Sequence, residues 1–80
     1  MKLTQREEQL LKVLRQHPEQ VLSAQELYRM VWQEEPYGAE NVVAVHIYHL
    51  RCKMQKDPRC LYDIKTHWRR GYELIKKESL

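Results

Sequence analysis

The sequence predicts an α+β domain in which three helices precede a C-terminal β-hairpin. Apolar residues recur at helical spacing in three segments before residue 57, and two short runs rich in β-branched and aromatic residues follow residue 60. Capping residues and prolines separate these segments. Because a chain of 80 residues can bury only a modest core, we expect one domain, residues 1–80.

The first helix is predicted to begin after Thr4. Thr4 and Glu7 have the spacing of a capping box, in which the hydroxyl and the carboxylate each accept a hydrogen bond from a backbone N–H. Pro18 disfavours helical geometry at His17 and so ends the helix. Between these signals lies an apolar stripe of Leu10, Leu11 and Leu14.

A second helix follows a short extended step at residues 21–22. Ser23 and Glu26 repeat the capping-box spacing, and Trp32 closes the helix. Residues 33–40 contain a proline, a glycine and three glutamates and therefore predict a polar loop. The apolar side of the helix is predicted to consist of Leu27, Met30 and Val31.

The third helix is predicted over residues 41–55. Asn41 can cap its first turn, and Asp57 followed by Pro58 ends it. Apolar residues at steps of four, three and four form one side, which we expect to face the core: Val43, Ile47, Leu50 and Met54.

The remaining residues have the composition of strands. Residues 61–66 and 72–75 are predicted to pair around a basic loop at residues 67–71, in which Gly71 can take a positive φ. Residues 76–80 are expected to fray. Two short helices, a longer third helix and a basic hairpin describe a winged helix-turn-helix, with the hairpin as its wing.

The net charge of +3 is unevenly distributed along the chain. Residues 1–40 carry five Lys or Arg against seven acidic residues, a balance of −2, whereas residues 41–80 carry nine against four, a balance of +5. This asymmetry is typical of a protein whose second half meets a polyanion, although a solvated basic surface has the same composition.

The side of the third helix opposite its predicted core, here called the outward side, contains no acidic residue. At about 100° per residue, His46 and Arg51 lie on its two flanks. DNA phosphates repel carboxylates, polar side chains can bond base edges in the major groove, and valine can contact a thymine methyl. A helix docked on a protein partner could lack acids in the same way. The outward side comprises Asn41, Val42, Val45, Tyr48, His49, Cys52 and Lys56, and its base-reading candidates are Asn41, Val45, Tyr48 and His49.

The composition argues against a membrane, secreted or catalytic protein. No apolar run approaches the roughly 18 residues of a membrane span, and no apolar segment follows the N-terminus as in a signal peptide, so we expect a cytoplasmic protein. Cys52 and Cys60 do not form a disulfide framework and are expected to be reduced thiols. We find no nucleophile–base pair and no glycine-rich phosphate loop, so we expect neither an enzyme nor a bound cofactor.

A metal site is also not expected. His46, His49 and Cys52 recur every three residues along the third helix, with Cys60 nearby in sequence. A zinc site needs about four converging ligands, and this spacing spreads three of them over too wide an arc. The same residues are better explained as contacts to a DNA groove.

Several short motifs occur in a fixed order along nearly all of the chain. They are Leu3-Thr4-x-x-Glu7, His17-Pro18, Val31-Trp32, Val43-x-Val45-His46-Ile47-x-x-Leu50-Arg51-x-Lys53, Asp57-Pro58, Ile64-Lys65-Thr66 and Gly71-Tyr72-x-Leu74. Together they resemble the C-terminal effector domain of OmpR/PhoB-type response regulators. That resemblance implies a winged helix whose third helix enters the major groove and whose hairpin reaches the adjacent minor groove.

The resemblance also implies roles for individual residues. Val45 and His49 match base-facing positions. Contacts to phosphate or to the DNA backbone are implied for Trp32, His46, Arg51 and Thr66, and on charge we add Lys53. The wing residues expected at the minor groove or its phosphates are His67, Trp68, Arg69 and Arg70.

The sequence departs from the family pattern in three places. The family usually has Arg or a small polar residue where Tyr48 and His49 stand, so its base preference does not transfer. It usually has Gly where Arg69 stands, so this wing tip is expected to be more basic and less flexible. The N-terminal sheet and the receiver domain of the family are absent, which indicates either part of a longer protein or a freestanding regulator similar to the VanU-like proteins.

We therefore expect a bacterial transcriptional regulator that binds double-stranded DNA sequence-specifically, with residues 41–55 in the major groove and residues 66–71 at the minor groove. One such module makes a small interface, so a second copy on repeated half-sites or a full-length response regulator is an expected partner. Residues 33–40 match a family segment that often touches RNA polymerase, although a solvated polar turn would have the same sequence. The alternatives are a winged helix that binds a protein, and an RNA binder, which would usually use an aromatic sheet platform.

Overall fold

A computed structural model describes residues 1–77 and confirms the predicted α+β class. The elements are α1 (Gln5–Gln16), α2 (Ala24–Trp32), α3 (Ala39–Lys56), β1 (Tyr62–His67) and β2 (Gly71–Lys76). The two strands form one antiparallel hairpin. Three helices followed by this hairpin form a winged helix, in which β1, β2 and the turn between them are the wing.

Both predicted capping boxes are present. Thr4 Oγ1 accepts from the Glu7 N–H, and Glu7 Oε1 accepts from the Thr4 N–H at 2.8 Å. Ser23 and Glu26 make the same pair of bonds at the start of α2. These bonds satisfy backbone N–H groups that have no partner inside the first turn of a helix. The sequence therefore determines the starts of α1 and α2 locally.

The predicted start of α3 at Asn41 is wrong. The helix begins at Ala39, and its N-cap is Gly38 with a φ of 61° and no capping side chain. Ala39 is fully buried, so packing of the first turn fixes this start, and the glycine lets the chain turn into it. Asn41 consequently lies exposed within the first turn.

The core is formed mainly by the predicted apolar sides of the three helices, with Leu22, Ile64 and Leu74 added from the extended segments. Met30 is the exception, because its side chain is 42% exposed rather than buried. The nine-residue α2 packs through Leu27 and Val31, which leaves Met30 at the edge of the contact. The core residues are Leu10, Leu14, Leu22, Leu27, Val31, Val43, Ile47, Leu50, Met54, Ile64 and Leu74.

The wing is attached to the helices at its base. Leu22 and Tyr72 exchange two backbone hydrogen bonds, at 2.8 and 2.9 Å, so the predicted extended step joins β2. Gly71 is required there, because a Cβ at this position would lie 2.0 Å from the Leu22 carbonyl oxygen. The expectation of fraying is wrong for Lys76, which ends β2, and for Lys77, whose Nζ donates to two carbonyls at the end of α3. Residues 78–80 lie outside the described residues.

An ion pair between a buried carboxylate and a half-buried ammonium joins α1 to α3. Glu7 is 3% exposed, and its Oε1 lies 2.6 Å from the Nζ of Lys53. Burial acts to raise the pKa of the Glu7 carboxyl, but the hydrogen bonds from Lys53 and Thr4 and the charge of Lys53 outweigh it, so the pKa lies below 4.5. The ionised form of Glu7 therefore stabilises the folded state.

We predict that Glu7→Gln lowers the free energy of unfolding by about 2 kcal/mol at pH 7, because the ammonium of Lys53 loses its charged partner. Since the folded-state pKa is lowered, this contribution is present above pH 4.5 and is lost as the pH falls through the folded-state value. Denaturant unfolding at pH 7 and at pH 3 checks this, and the difference between the two proteins should be smaller at the lower pH.

Glu8→Gln is the matched control. Glu8 lies in the same turn of α1 but is exposed, so its free energy of unfolding should stay within about 0.5 kcal/mol of the parent. Equal stability of Glu7→Gln and Glu8→Gln at pH 7 would contradict a stabilising role of the ion pair.

Candidate nucleic-acid interface

The outward side of α3 is exposed and free of carboxylates in the structure. Val45 is 53% exposed and Tyr48 is 63% exposed, and Asn41 and His49 are also exposed. The rings of Tyr48 and His49 contact each other edge to face, with centroids 5.7 Å apart. Exposed apolar groups clustered with polar ones mark a binding surface more often than an ordinary solvated helix side.

One flank of α3 is hydrogen-bonded to the wing. The Nη2 of Arg51 donates to the Oγ1 of Thr66 in β1, while its Nε is buried without a partner among the described residues. Burial raises the pKa of the Tyr72 hydroxyl, and the nearby charge of Arg51 opposes that rise. The two residues predicted as separate backbone contacts therefore form one link between α3 and the wing.

The other flank of α3 packs against the end of α2. The His46 ring meets the Trp32 ring edge to face, with centroids 5.1 Å apart. The Nδ1 of His46 lies 2.8 Å from the carbonyl oxygen of Val42. A carbonyl can only accept, so Nδ1 carries the proton, and Nε2 of the neutral ring is then an acceptor. His46 can donate through Nε2 only as the imidazolium.

Trp32 is held in a cluster at the junction of the three helices. Tyr28 stacks on it with ring planes 6° apart, and the guanidinium of Arg6 lies 5.0 Å from its ring centroid. Arg6 also donates to the carbonyl of Val31 at 3.1 Å. The sequence analysis did not identify Arg6, because the partners are 25 residues apart and no local motif links them.

The wing tip is a tight turn with two exposed basic residues. The Arg70 N–H donates to the His67 carbonyl at 2.8 Å, and Arg69, the third residue of this turn, has a φ of 64°. The third position of such a turn with a positive φ favours glycine. Trp68 is 78% exposed, and the guanidinium of Arg69 lies 4.3 Å from its ring centroid.

Two predicted contacts are engaged elsewhere. The Nε2 of His67 lies 2.7 Å from a carboxylate oxygen of Glu73 on the opposite strand, and both side chains are largely buried. The ammonium of Lys53 is bound by Glu7, as described above. Both groups therefore make contacts within the fold, and their contacts to DNA stay predictions. The Lys53–Glu7 pair spans 46 residues and the His67–Glu73 pair crosses the hairpin, so no local motif marks either.

A groove of about 440 Å³ separates the wing from the start of α2. One acidic side chain lies in it: Glu40, in the first turn of α3, accepts a hydrogen bond from Gln25. Glu40 belongs to the flank of α3 that faces the wing, not to the outward side. The carboxylate-free surface therefore ends at this groove.

The loop between α2 and α3 has an acidic, aromatic surface. Tyr37 is 92% exposed, and Glu34 accepts a hydrogen bond from the Tyr28 hydroxyl at 3.3 Å. Gln33 ends α2 in the left-handed conformation, with a φ of 59°. This loop directly follows Trp32, the last residue of α2.

Residues 1–77 form neither a metal-type cluster nor a membrane span. Within this range no three His, Cys, Asp or Glu side chains come together as a metal site would require. None of the helices in the same range has the length and apolar character needed to cross a bilayer. Cys52 and Cys60 are both free thiols.

The comparisons with known proteins agree with one another. A family profile described as transcriptional regulatory protein, C terminal, matches residues 1–74. Over 74 residues the chain is 39% identical to the transcriptional regulatory protein YcbL of Bacillus subtilis, covering 92% of this chain and 33% of that protein. Over 72 residues it is 40% identical to the DNA-binding dual master transcriptional regulator RpaA of Synechocystis, covering 90% and 30%.

A solved structure is also similar. The DNA-binding domain of CadC from Escherichia coli matches with a TM-score of 0.78 and 32% sequence identity, covering 96% of this chain and 72% of that one. The chain thus spans about a third of the length of the curated relatives it matches.

We predict that Thr66→Val loosens the wing, because the guanidinium of Arg51 loses its acceptor while the shape of residue 66 is kept. The free energy of unfolding should fall by about 1 kcal/mol, and the amides of β1 and β2 should exchange faster with solvent. Thr66→Ser keeps the hydroxyl and serves as the control. Equal amide protection in all three proteins would show that the hydrogen bond does not hold the wing.

Proposed function

Because the chain belongs to the family of transcriptional regulatory protein C-terminal domains, of the OmpR/PhoB type, we propose that it binds double-stranded DNA sequence-specifically as a bacterial transcriptional regulator. The family is one of DNA-binding regulators rather than enzymes. The observation that carries the proposal is the hydrogen bond between Arg51 and Thr66, which joins the flank of α3 beside its outward side to the arginine-tipped wing. In this proposal α3 lies in the major groove and the wing reaches the minor groove.

Sequence is read by the outward side of α3. The exposed methyl groups of Val45 can contact a thymine methyl, and the polar groups of Asn41, Tyr48 and His49 can bond base edges. Contacts to phosphate come from the flanks, where Arg51 and Thr66 stand on one side and Trp32 and His46 on the other. These flanking contacts set the register of α3 on the duplex.

The wing supplies charge at the minor groove. Arg69 and Arg70 are exposed at its tip, and Trp68 holds the guanidinium of Arg69 in a stacked position. A positive φ at a non-glycine residue costs of the order of 1 kcal/mol, and such strain concentrates at functional sites. We infer that Arg69 is retained there for its charge.

Single modules of this size bind weakly, so useful affinity needs a partner. A second copy on repeated half-sites or a full-length response regulator would supply it. The exposed Tyr37 and its acidic neighbours make residues 33–40 the candidate contact for RNA polymerase.

A protein-binding winged helix is the second candidate, and the exposure of Val45 and Tyr48 favours it. Titration of a random-sequence duplex at two salt concentrations separates the two candidates. DNA binding by contacts to phosphate weakens steeply as salt rises, with a slope that reports the number of phosphates neutralised. The absence of salt-dependent binding would contradict the proposed function.

We predict that Arg69→Gly leaves the free energy of unfolding unchanged or raises it by up to about 1 kcal/mol, because glycine relieves the positive φ. The same change should weaken duplex binding and reduce the salt slope by about 1, since one cation at the groove is lost. Weaker binding by a protein of equal or greater stability cannot be explained by unfolding.

The matched control is Gln33→Gly. Gln33 has nearly the same φ, at the end of α2, but carries no charge. Its substitution should relieve similar strain and leave the salt slope as it is. If Arg69→Gly and Gln33→Gly bind duplex with the same slope, the wing tip does not contact DNA.

A further inference from the structure

We propose that the DNA half-site bound by this chain is rich in A·T pairs. This inference rests on the proposed function and adds the base composition of the DNA that is bound. Arginine or lysine binding to guanine is the commonest specific contact in the major groove. The cations of α3 are Arg51, Lys53 and Lys56. A guanine contact would require one of these cations to lie on the outward side near the bases.

None of the three is placed to do so. Arg51 lies on a flank and donates to Thr66, and Lys53 is paired with the buried carboxylate of Glu7. Lys56 is the last residue of α3, about 16 Å along the helix axis from Val45. The part of the outward side centred on Val45 therefore has no cation for a guanine O6 and N7.

The groups that the outward side does present suit A·T pairs. Val42 and Val45 expose methyl groups, and among the four bases only thymine has a methyl group in the major groove. Asn41 carries the amide that pairs with the N6 and N7 of adenine. One hydrogen bond from His49 to a purine N7 does not distinguish adenine from guanine, since both bases present that acceptor.

The wing independently favours a DNA site rich in A·T pairs. Arginine is attracted to the narrow minor groove of A·T tracts, where the negative potential is enhanced. The N2 amino group of guanine stands in the minor groove of G·C pairs and would oppose a guanidinium there. Arg69 is exposed at the wing tip, where its guanidinium lies over the Trp68 ring and could be inserted into such a groove. Major-groove and minor-groove contacts therefore favour the same base pairs.

The test compares binding of the full chain to four duplexes of one length at one salt concentration. The first is rich in A·T pairs and the second is rich in G·C pairs. The third is the A·T-rich duplex with uracil in place of thymine, and the fourth is the A·T-rich duplex with inosine–cytosine pairs in place of A·T pairs. We expect the A·T-rich duplex to bind at least tenfold more tightly than the G·C-rich one. Uracil lacks only the thymine methyl and should cost roughly fourfold for each methyl contacted. Inosine–cytosine pairs lack the minor-groove amino group but present the G·C pattern in the major groove, so they should bind between the two.

Variants of this chain test which residues produce the preference for A·T pairs. The penalty for uracil should disappear in the Val42→Ala, Val45→Ala double variant and persist in Leu61→Ala, which removes an exposed apolar side chain outside α3. The advantage of inosine–cytosine over G·C should shrink in Arg69→Gly. Equal or tighter binding of the G·C-rich duplex, or a preference for A·T that none of these variants changes, overturns this inference while salt-dependent binding still supports the proposed function. Failure to bind any duplex overturns both.

Discussion

The burial of one side of α3 fixes the rotation of this helix about its axis. Val43, Ile47, Leu50 and Met54 are all at most 1% exposed, so the helix cannot rotate about its axis without uncovering them. With that rotation fixed, the opposite side must face solvent, and the flanks must meet their neighbours. Val45 and Tyr48 are exposed for this reason rather than through any preference of their own.

The two flanks of α3 connect its outward side to neighbouring elements, so the exposed surface is wider than the helix alone. On one flank, His46 packs on Trp32 and so ties α3 to the end of α2. On the other, Arg51 bonds Thr66 and ties α3 to the wing, whose base is held independently by the bridge between Leu22 and Tyr72. Both flanks carry groups that can meet phosphate, so the contacts that hold the fold also position the proposed contacts to DNA.

Local signals predicted much of the fold. The capping boxes, the prolines after α1 and α3, and the apolar periodicity act within a few residues, and they were correct apart from Met30, which the periodicity placed in the core. The start of α3 was misplaced because Ala39 is fixed by packing, which overrides the capping tendency of Asn41. Lys53 and His67 were assigned to DNA on charge and resemblance, yet each is bound by a carboxylate distant in sequence or on the opposite strand. Pairs of this kind become visible only when the elements are brought together.

If the outward side of α3 and the wing tip form one surface for duplex DNA, both should respond in an NMR titration of the isotope-labelled chain with a short A·T-rich duplex. We expect the largest amide shifts on residues 41–49 and 66–71, with little change along the apolar groove between α1 and residues 57–62. Shifts confined to that groove, with the outward side of α3 unchanged, would show that this surface does not bind DNA.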